Sequence, residues 1–64
     1  MKWTDVGQIA IELFERFPEI DPKTINFVSL REKIMVLPEF DDKPEYCGER
    51  VLEAIQQAWI EEAE

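Results

Sequence analysis

Leu37-Pro38-Glu39-Phe40-Asp41-Asp42-Lys43-Pro44 is the stretch from which the fold of this chain can be worked out. Pro38 ends the amphipathic helix before it, because proline lacks the amide proton a helix needs and crowds the residue that precedes it. The acids then make a corner, and Phe40 is the one apolar residue between the charges. We expect Phe40 to pin this corner onto the core. Beyond it a last helix runs to Trp59-Ile60-Glu61-Glu62-Ala63-Glu64. Charge divides at the same place. Residues 1–37 carry six acids against five bases, whereas residues 38–64 carry nine acids against two bases. Almost all of the formal net charge of −8 therefore lies in the second half.

Downstream of the corner, Cys47-Gly48 offers the capping position of the last helix. Leu52, Ile55, Trp59 and Ala63 recur at helical spacing as its buried stripe, with Val51 and Ala58 flanking it. Upstream, Ser29-Leu30-Arg31-Glu32 has the S-x-x-E pattern of a capping box, which predicts a helix from Leu30 with Leu30, Ile34 and Leu37 on one face. Thr24-Ile25-Asn26-Phe27-Val28 alternates well enough to predict a short strand. Asp21-Pro22 is a turn-initiating pair. Before it, Val6, Ile9, Ala10, Leu13, Phe14 and Phe17 form one helical stripe that Pro18 terminates, and Asp5 with Gln8 suggests a capping box at its start. Glu12 and Arg16 are spaced to pair at i,i+4. Trp3 is placed to fold back onto that stripe. The expected architecture is mainly α: a single domain over residues 1–64 with three helices and a short β element. A winged-helix-like domain fits this order, and a plain three-helix bundle predicts nearly the same burial.

Size and composition narrow the function. A chain of 64 residues buries only about 60% of its unfolded surface, so its stability is expected to be modest. Its hydrophobic content of 45% is too high for a disordered acidic tail. With one cysteine, Cys47, no internal disulfide can form, which points to a reducing compartment. The start, Met1-Lys2-Trp3-Thr4-Asp5, has no basic stretch leading into an apolar run, so the expectation is a cytoplasmic domain without a leader. No apolar segment approaches the roughly 20 residues that span a bilayer. The chain has no histidine, so neither a Ser-His nor a Cys-His pair can be built. Its two glycines, Gly7 and Gly48, make no phosphate-cradling loop. No enzyme is expected. Nucleic acid is disfavoured as well, since phosphate recognition needs a basic face and here the bases are scattered and outnumbered.

What remains is the acid itself. At about 100° per residue, Glu49, Glu53, Ile60 and Glu64 fall in a band roughly 60° wide beside the buried stripe of the last helix. Arg50 and Glu61 lie next to it. An apolar residue ringed by carboxylates is a common form of small docking site, although a charged helical face is more often simply solvated. One local conflict favours docking. Glu61, Glu62 and Glu64 sit at the negative end of the helix macrodipole, where each acid costs about 0.3–1 kcal/mol before screening. Sequences break such rules more often at functional sites. The candidate partner-binding residues are therefore Glu49, Glu53, Ile60, Glu61, Glu62 and Glu64. The corner offers a second candidate: Glu39, Asp41, Asp42 and Glu45 are hard oxygen ligands suited to weak, open binding of Mg²⁺, Ca²⁺, Fe²⁺ or Fe³⁺.

Taken together, Lys2-Trp3-Thr4-Asp5, Asp21-Pro22-Lys23-Thr24 with Phe27, Phe40-Asp41-Asp42 with Pro44, and Leu52-Glu53-Ala54-Ile55 with Trp59 and Glu62-Ala63-Glu64 resemble the IscX family. These are small acidic proteins of the bacterial iron–sulfur cluster assembly system. The likeness runs the length of the chain. It implies a winged-helix-like fold and a non-enzymatic, monomeric adaptor that docks on the basic surface of the cysteine desulfurase IscS, in competition with frataxin and ferredoxin. It also implies weak iron binding through surface carboxylates, with no tightly bound cofactor; an iron carrier or donor to the scaffold is the alternative. The acids at Asp41, Asp42, Glu61, Glu62 and Glu64 fit that pattern. Lys43 departs from it, standing where a third acid often follows the Asp pair. Cys47 occupies a place expected for a small capping residue and is not expected to be a cluster ligand.

Overall fold

Asp5 opens the first helix, α1 (Val6–Arg16). The expected capping box does not form there: the Asp5 side chain turns back and accepts from the Lys2 amide at 2.8 Å. The helix stops where Pro18 requires, with the Phe17 amide still reaching the Leu13 carbonyl at 2.9 Å. Arg16 Nε donates to Glu12 Oε1 at 3.1 Å, the pair anticipated from their spacing. Ile9, Ala10 and Leu13 are fully buried, whereas Phe14 is 42% exposed. Phe14 lies about 100° around the helix from Leu13, outside the arc that the other helices cover.

The computed structural model describes all residues from 1 to 64, and it contains three α-helices and no strand. The short β element expected over residues 24–28 is absent, and with it any wing. Those residues instead close a turn and start α2 (Phe27–Met35). The Asp21 carboxylate accepts from the Lys23 amide at 3.0 Å, and the Thr24 amide donates to the Asp21 carbonyl at 3.2 Å. Asn26 then caps the helix, its side-chain oxygen accepting from the Ser29 amide at 2.8 Å. Asparagine, placed three residues ahead of Ser29, wins the capping position, so α2 begins at Phe27 and not at Leu30. A lone five-residue strand has no ladder to join here, while a capped helix satisfies its own backbone. Ile25 and Phe27 still pack against the core, as half-buried flanks.

After α2 the chain makes two turns through Leu37 and Phe40, enters a single 3₁₀ turn at Pro44–Tyr46 and reaches α3 (Glu49–Ala63). Gly48 takes the capping position. The core is one cluster. Ile9, Ala10 and Leu13 of α1 meet Leu30 and Ile34 of α2, Leu37, and Leu52, Ile55 and Trp59 of α3, with Trp3 folded in from the start of the chain. The longest face-to-face packing is between α1 and α3. Gln56 of α3 donates to the Pro22 carbonyl at 2.8 Å, which ties the α1–α2 turn to the last helix. Ala63, expected in the buried stripe, lies past the end of the core and is exposed.

Candidate functional site

The corner is held by the start of the chain. Trp3 is 2% exposed; its indole N–H donates to the Lys43 carbonyl at 2.7 Å, and its ring meets Phe40 edge-on with centroids 4.7 Å apart. Phe40 is thus the anchor its position suggested. The Asp41 amide donates to the Met1 carbonyl at 2.9 Å. Asp42 engages both carboxylate oxygens, Oδ2 accepting from the Trp3 amide at 3.1 Å and Oδ1 from the Lys43 amide at 2.8 Å. Those two amides, the Trp3 N–H first, hold the Asp42 carboxyl below its ordinary range, with the charges of Lys2 and Lys43 assisting. Asp41 stands 3.5 Å from the Lys2 ammonium, which also donates to the Asp41 carbonyl.

This arrangement bears on the carboxylates singled out as oxygen ligands. Glu39, Asp41 and Glu45 are exposed and Asp42 is half-buried. No three acidic or sulfur-bearing side chains in the molecule stand close enough to share a metal ion. An open concavity of about 480 Å³ lies at the corner, but Lys2 and Lys43 line it together with Asp41 and Asp42. Lys43 further sits 5.7 Å from the Tyr46 ring centroid. Asp41 and Asp42 are thus matched by nearby cations and amides, whereas the Glu39 and Glu45 side chains have no such partner.

The acids of α3 are placed differently. Glu49, Glu53, Glu61, Glu62 and Glu64 are all exposed, and none has a lysine or arginine within ion-pair distance; the chain's ion pairs are Lys2–Asp41 and Arg16–Glu12. Glu61 accepts only from Gln57, at a long 3.4 Å. No basic residue occupies the last turn. The helix does not gather all the named residues onto one face. Glu49, Glu53 and Glu64 follow one flank with Glu61 beside them, while Glu62 projects about 160° away from Glu64. Ile60, expected to face solvent, is half-buried. The apolar side chains that do stand out are elsewhere: Ile11 and Phe14 on α1, Val28, Met35 and Val36 along and just after α2, and Tyr46.

Sequence reasoning did not find one further feature, a groove of about 250 Å³ between the start of α2 and the start of α3. It is lined by Phe27, Val28, Arg31, Cys47, Glu49 and Leu52, with Gly48 at its edge. The half-buried Cys47 ends the 3₁₀ turn here. The misplaced start of α2 hid this groove, because a strand over residues 24–28 would not put Phe27, Val28 and Arg31 on successive turns of one helix.

No helix is long and apolar enough to cross a membrane. The chain matches a family model described as iron-sulphur cluster assembly, over residues 1–64. It is also 61% identical over 62 residues to a protein of Pseudomonas aeruginosa described as uncharacterized, an alignment covering 97% of this chain and 94% of that one. The small, histidine-free helical domain with its unpaired carboxylates on α3 therefore belongs to the iron-sulphur cluster assembly family.

Proposed function

We propose that the protein is a non-catalytic adaptor of the IscX type, which docks through the acidic side of α3 on a basic surface of the cysteine desulfurase IscS in the cytoplasm and tunes cluster assembly there. One observation carries this reading: Glu61, Glu62 and Glu64 are exposed and free of ion pairs at the helix end where the macrodipole disfavours them. A chain this small would gain stability from lysine or arginine in that turn, and a cationic partner supplies what the fold withholds. Glu49, Glu53, Glu61 and Glu64 form the docking flank, with Ile60 contributing its exposed edge. Glu62 acts from the neighbouring side. Frataxin and ferredoxin would compete for the same basic surface.

Steering of this kind speeds association and fades with salt, because the Debye length is about 8 Å at physiological ionic strength. Titrating labelled protein with the desulfurase is the direct test. The triple variant E61K/E62K/E64K is expected to lose binding while keeping its helical circular dichroism. Unchanged affinity in a folded variant overturns the docking reading.

The same proposal includes weak Fe²⁺ or Fe³⁺ binding at Glu39, Asp41, Asp42 and Glu45, supported by the exposure of Glu39, Asp41 and Glu45. Iron delivery to the cluster scaffold is its alternative form. Since Asp42 already accepts two amides, such binding would be open and water-rich. It predicts iron-dependent resonance changes centred on Asp41 that disappear in D41N/D42N.

A further inference from the structure

From the groove between α2 and α3 we infer a second interaction surface, built to take an acidic peptide segment that carries an apolar side chain. Phe27, Leu52 and Cys47 form an apolar floor, and Val28, 64% exposed, extends it outward along α2. Met35 lies two turns further along the same side of the helix and is also exposed. Arg31 rises between them into the groove. It is exposed, and neither an ion pair nor a hydrogen bond engages its guanidinium.

Charge decides which occupant fits. The chain carries a formal net charge of −8, yet α2, with Arg31 and Lys33 against Glu32, is its one helix with more bases than acids. Lys33 is turned the other way, over the Phe17 ring at 5.5 Å. Arg31 is therefore the cation the groove presents, and a planar guanidinium on an apolar floor recognises a carboxylate bidentately. Glu49 closes the opposite wall. It fixes polarity: the segment's acid must enter on the α2 side, with its apolar residue over Phe27 and Leu52. A basic segment would be drawn to the α3 acids instead.

This surface does not depend on the desulfurase reading, and its test needs no desulfurase. The probe is a fluorescein-labelled dodecapeptide alternating Glu with Leu, read by anisotropy and by amide shifts in the full chain. Controls replace Glu by Lys, or Leu by Ser. The acidic, apolar peptide is expected to shift the amides of residues 27–31 and 47–52. R31E should weaken binding about tenfold or more, as expected for losing a charge-assisted contact. V28S should weaken it severalfold, and E49Q should tighten it. E61K/E62K/E64K should leave the peptide-induced shifts at residues 27–31 and 47–52 in place, so failure here and failure of the α3 docking surface are separable. Equal binding of the Lys peptide at these residues overturns the inference. So does unchanged affinity in R31E, or a concentration-dependent shift of the same amides without peptide, which would assign the groove to a second copy.

Discussion

At the corner, Asp41 has Lys2 within 3.5 Å and Asp42 accepts two backbone amides; at the end of α3, Glu61, Glu62 and Glu64 have no cation near them and oppose the macrodipole. Both regions look alike as strings of acids. Their physical roles differ. The carboxylates of Asp41 and Asp42 complete the fold, because the start of the chain brings donors to them and buries Trp3 in doing so. The carboxylates at the end of α3 make no ion pair within the molecule, and of them only Glu61 accepts a hydrogen bond, a long one from Gln57. Clustered acid therefore signals interaction where the fold leaves it unmatched, and Asp42, with both carboxylate oxygens engaged, is the internal control for that statement.

Trp3 is the place to break the comparison hardest. Its side chain fills the core, meets Phe40 edge-on and donates to the Lys43 carbonyl. W3A is expected to cost about 3–5 kcal/mol, much of the stability of a domain this small. Urea unfolding followed by circular dichroism measures it, and a loss below about 1 kcal/mol would mean that Trp3 does not hold the corner. The α3 acids should behave in the opposite sense. E61K/E62K/E64K is expected to raise stability by roughly 1–2 kcal/mol at low salt, while abolishing docking on a cationic partner. Gain of stability with loss of binding is the signature of charge kept for a partner. Loss of stability in that variant would make both acidic regions structural and remove the contrast.

Much of this was legible from residues alone. The core stripes of α1 and α3, the stop at Pro18, the Glu12–Arg16 pair and the anchoring by Phe40 follow from spacing and from what proline and carboxylates do. The start of α2 did not, because two capping signals lie three residues apart. Asn26 and Ser29 can each open a helix, and alternation at Ile25 and Phe27 imitates a strand; local pattern cannot choose between them. Packing chooses, since a start at Phe27 puts Phe27 on the same helix as Leu30 and Ile34 and against the same core. N26A is accordingly expected to cost about 1 kcal/mol, and S29A less, in the same urea assay. The reverse order would restore Ser29 as the cap. The internal matching of Asp41 and Asp42 was equally hidden, because their partners Lys2 and Trp3 are 39 residues away. Ile60 lost its solvent-facing role for the same reason, since only the assembled fold decides what flanks a helix.

The smallest effects separate the two aspartates of the corner itself. Asp42 is held below its ordinary pKa of about 3.9 by the Trp3 and Lys43 amides. The unfolded chain therefore binds the proton more readily than the folded one. Stability from this group is fully present above the unfolded value and is lost as pH falls through the lower, folded value. D42N offers one acceptor where two are needed, so it should be less stable than the parent at neutral pH, with the difference shrinking as the parent is acidified below about pH 4. Asp41 lacks such amides, and its pairing with Lys2 is exposed on both sides. Pairs of that kind are worth between zero and about 1 kcal/mol. D41N should therefore shift the unfolding midpoint slightly at low salt and not at all in high salt. Should D41N and D42N instead lose stability equally and with the same salt dependence, the corner would be held by summed charge, and the fixed geometry that distinguishes it from α3 would have no energetic meaning.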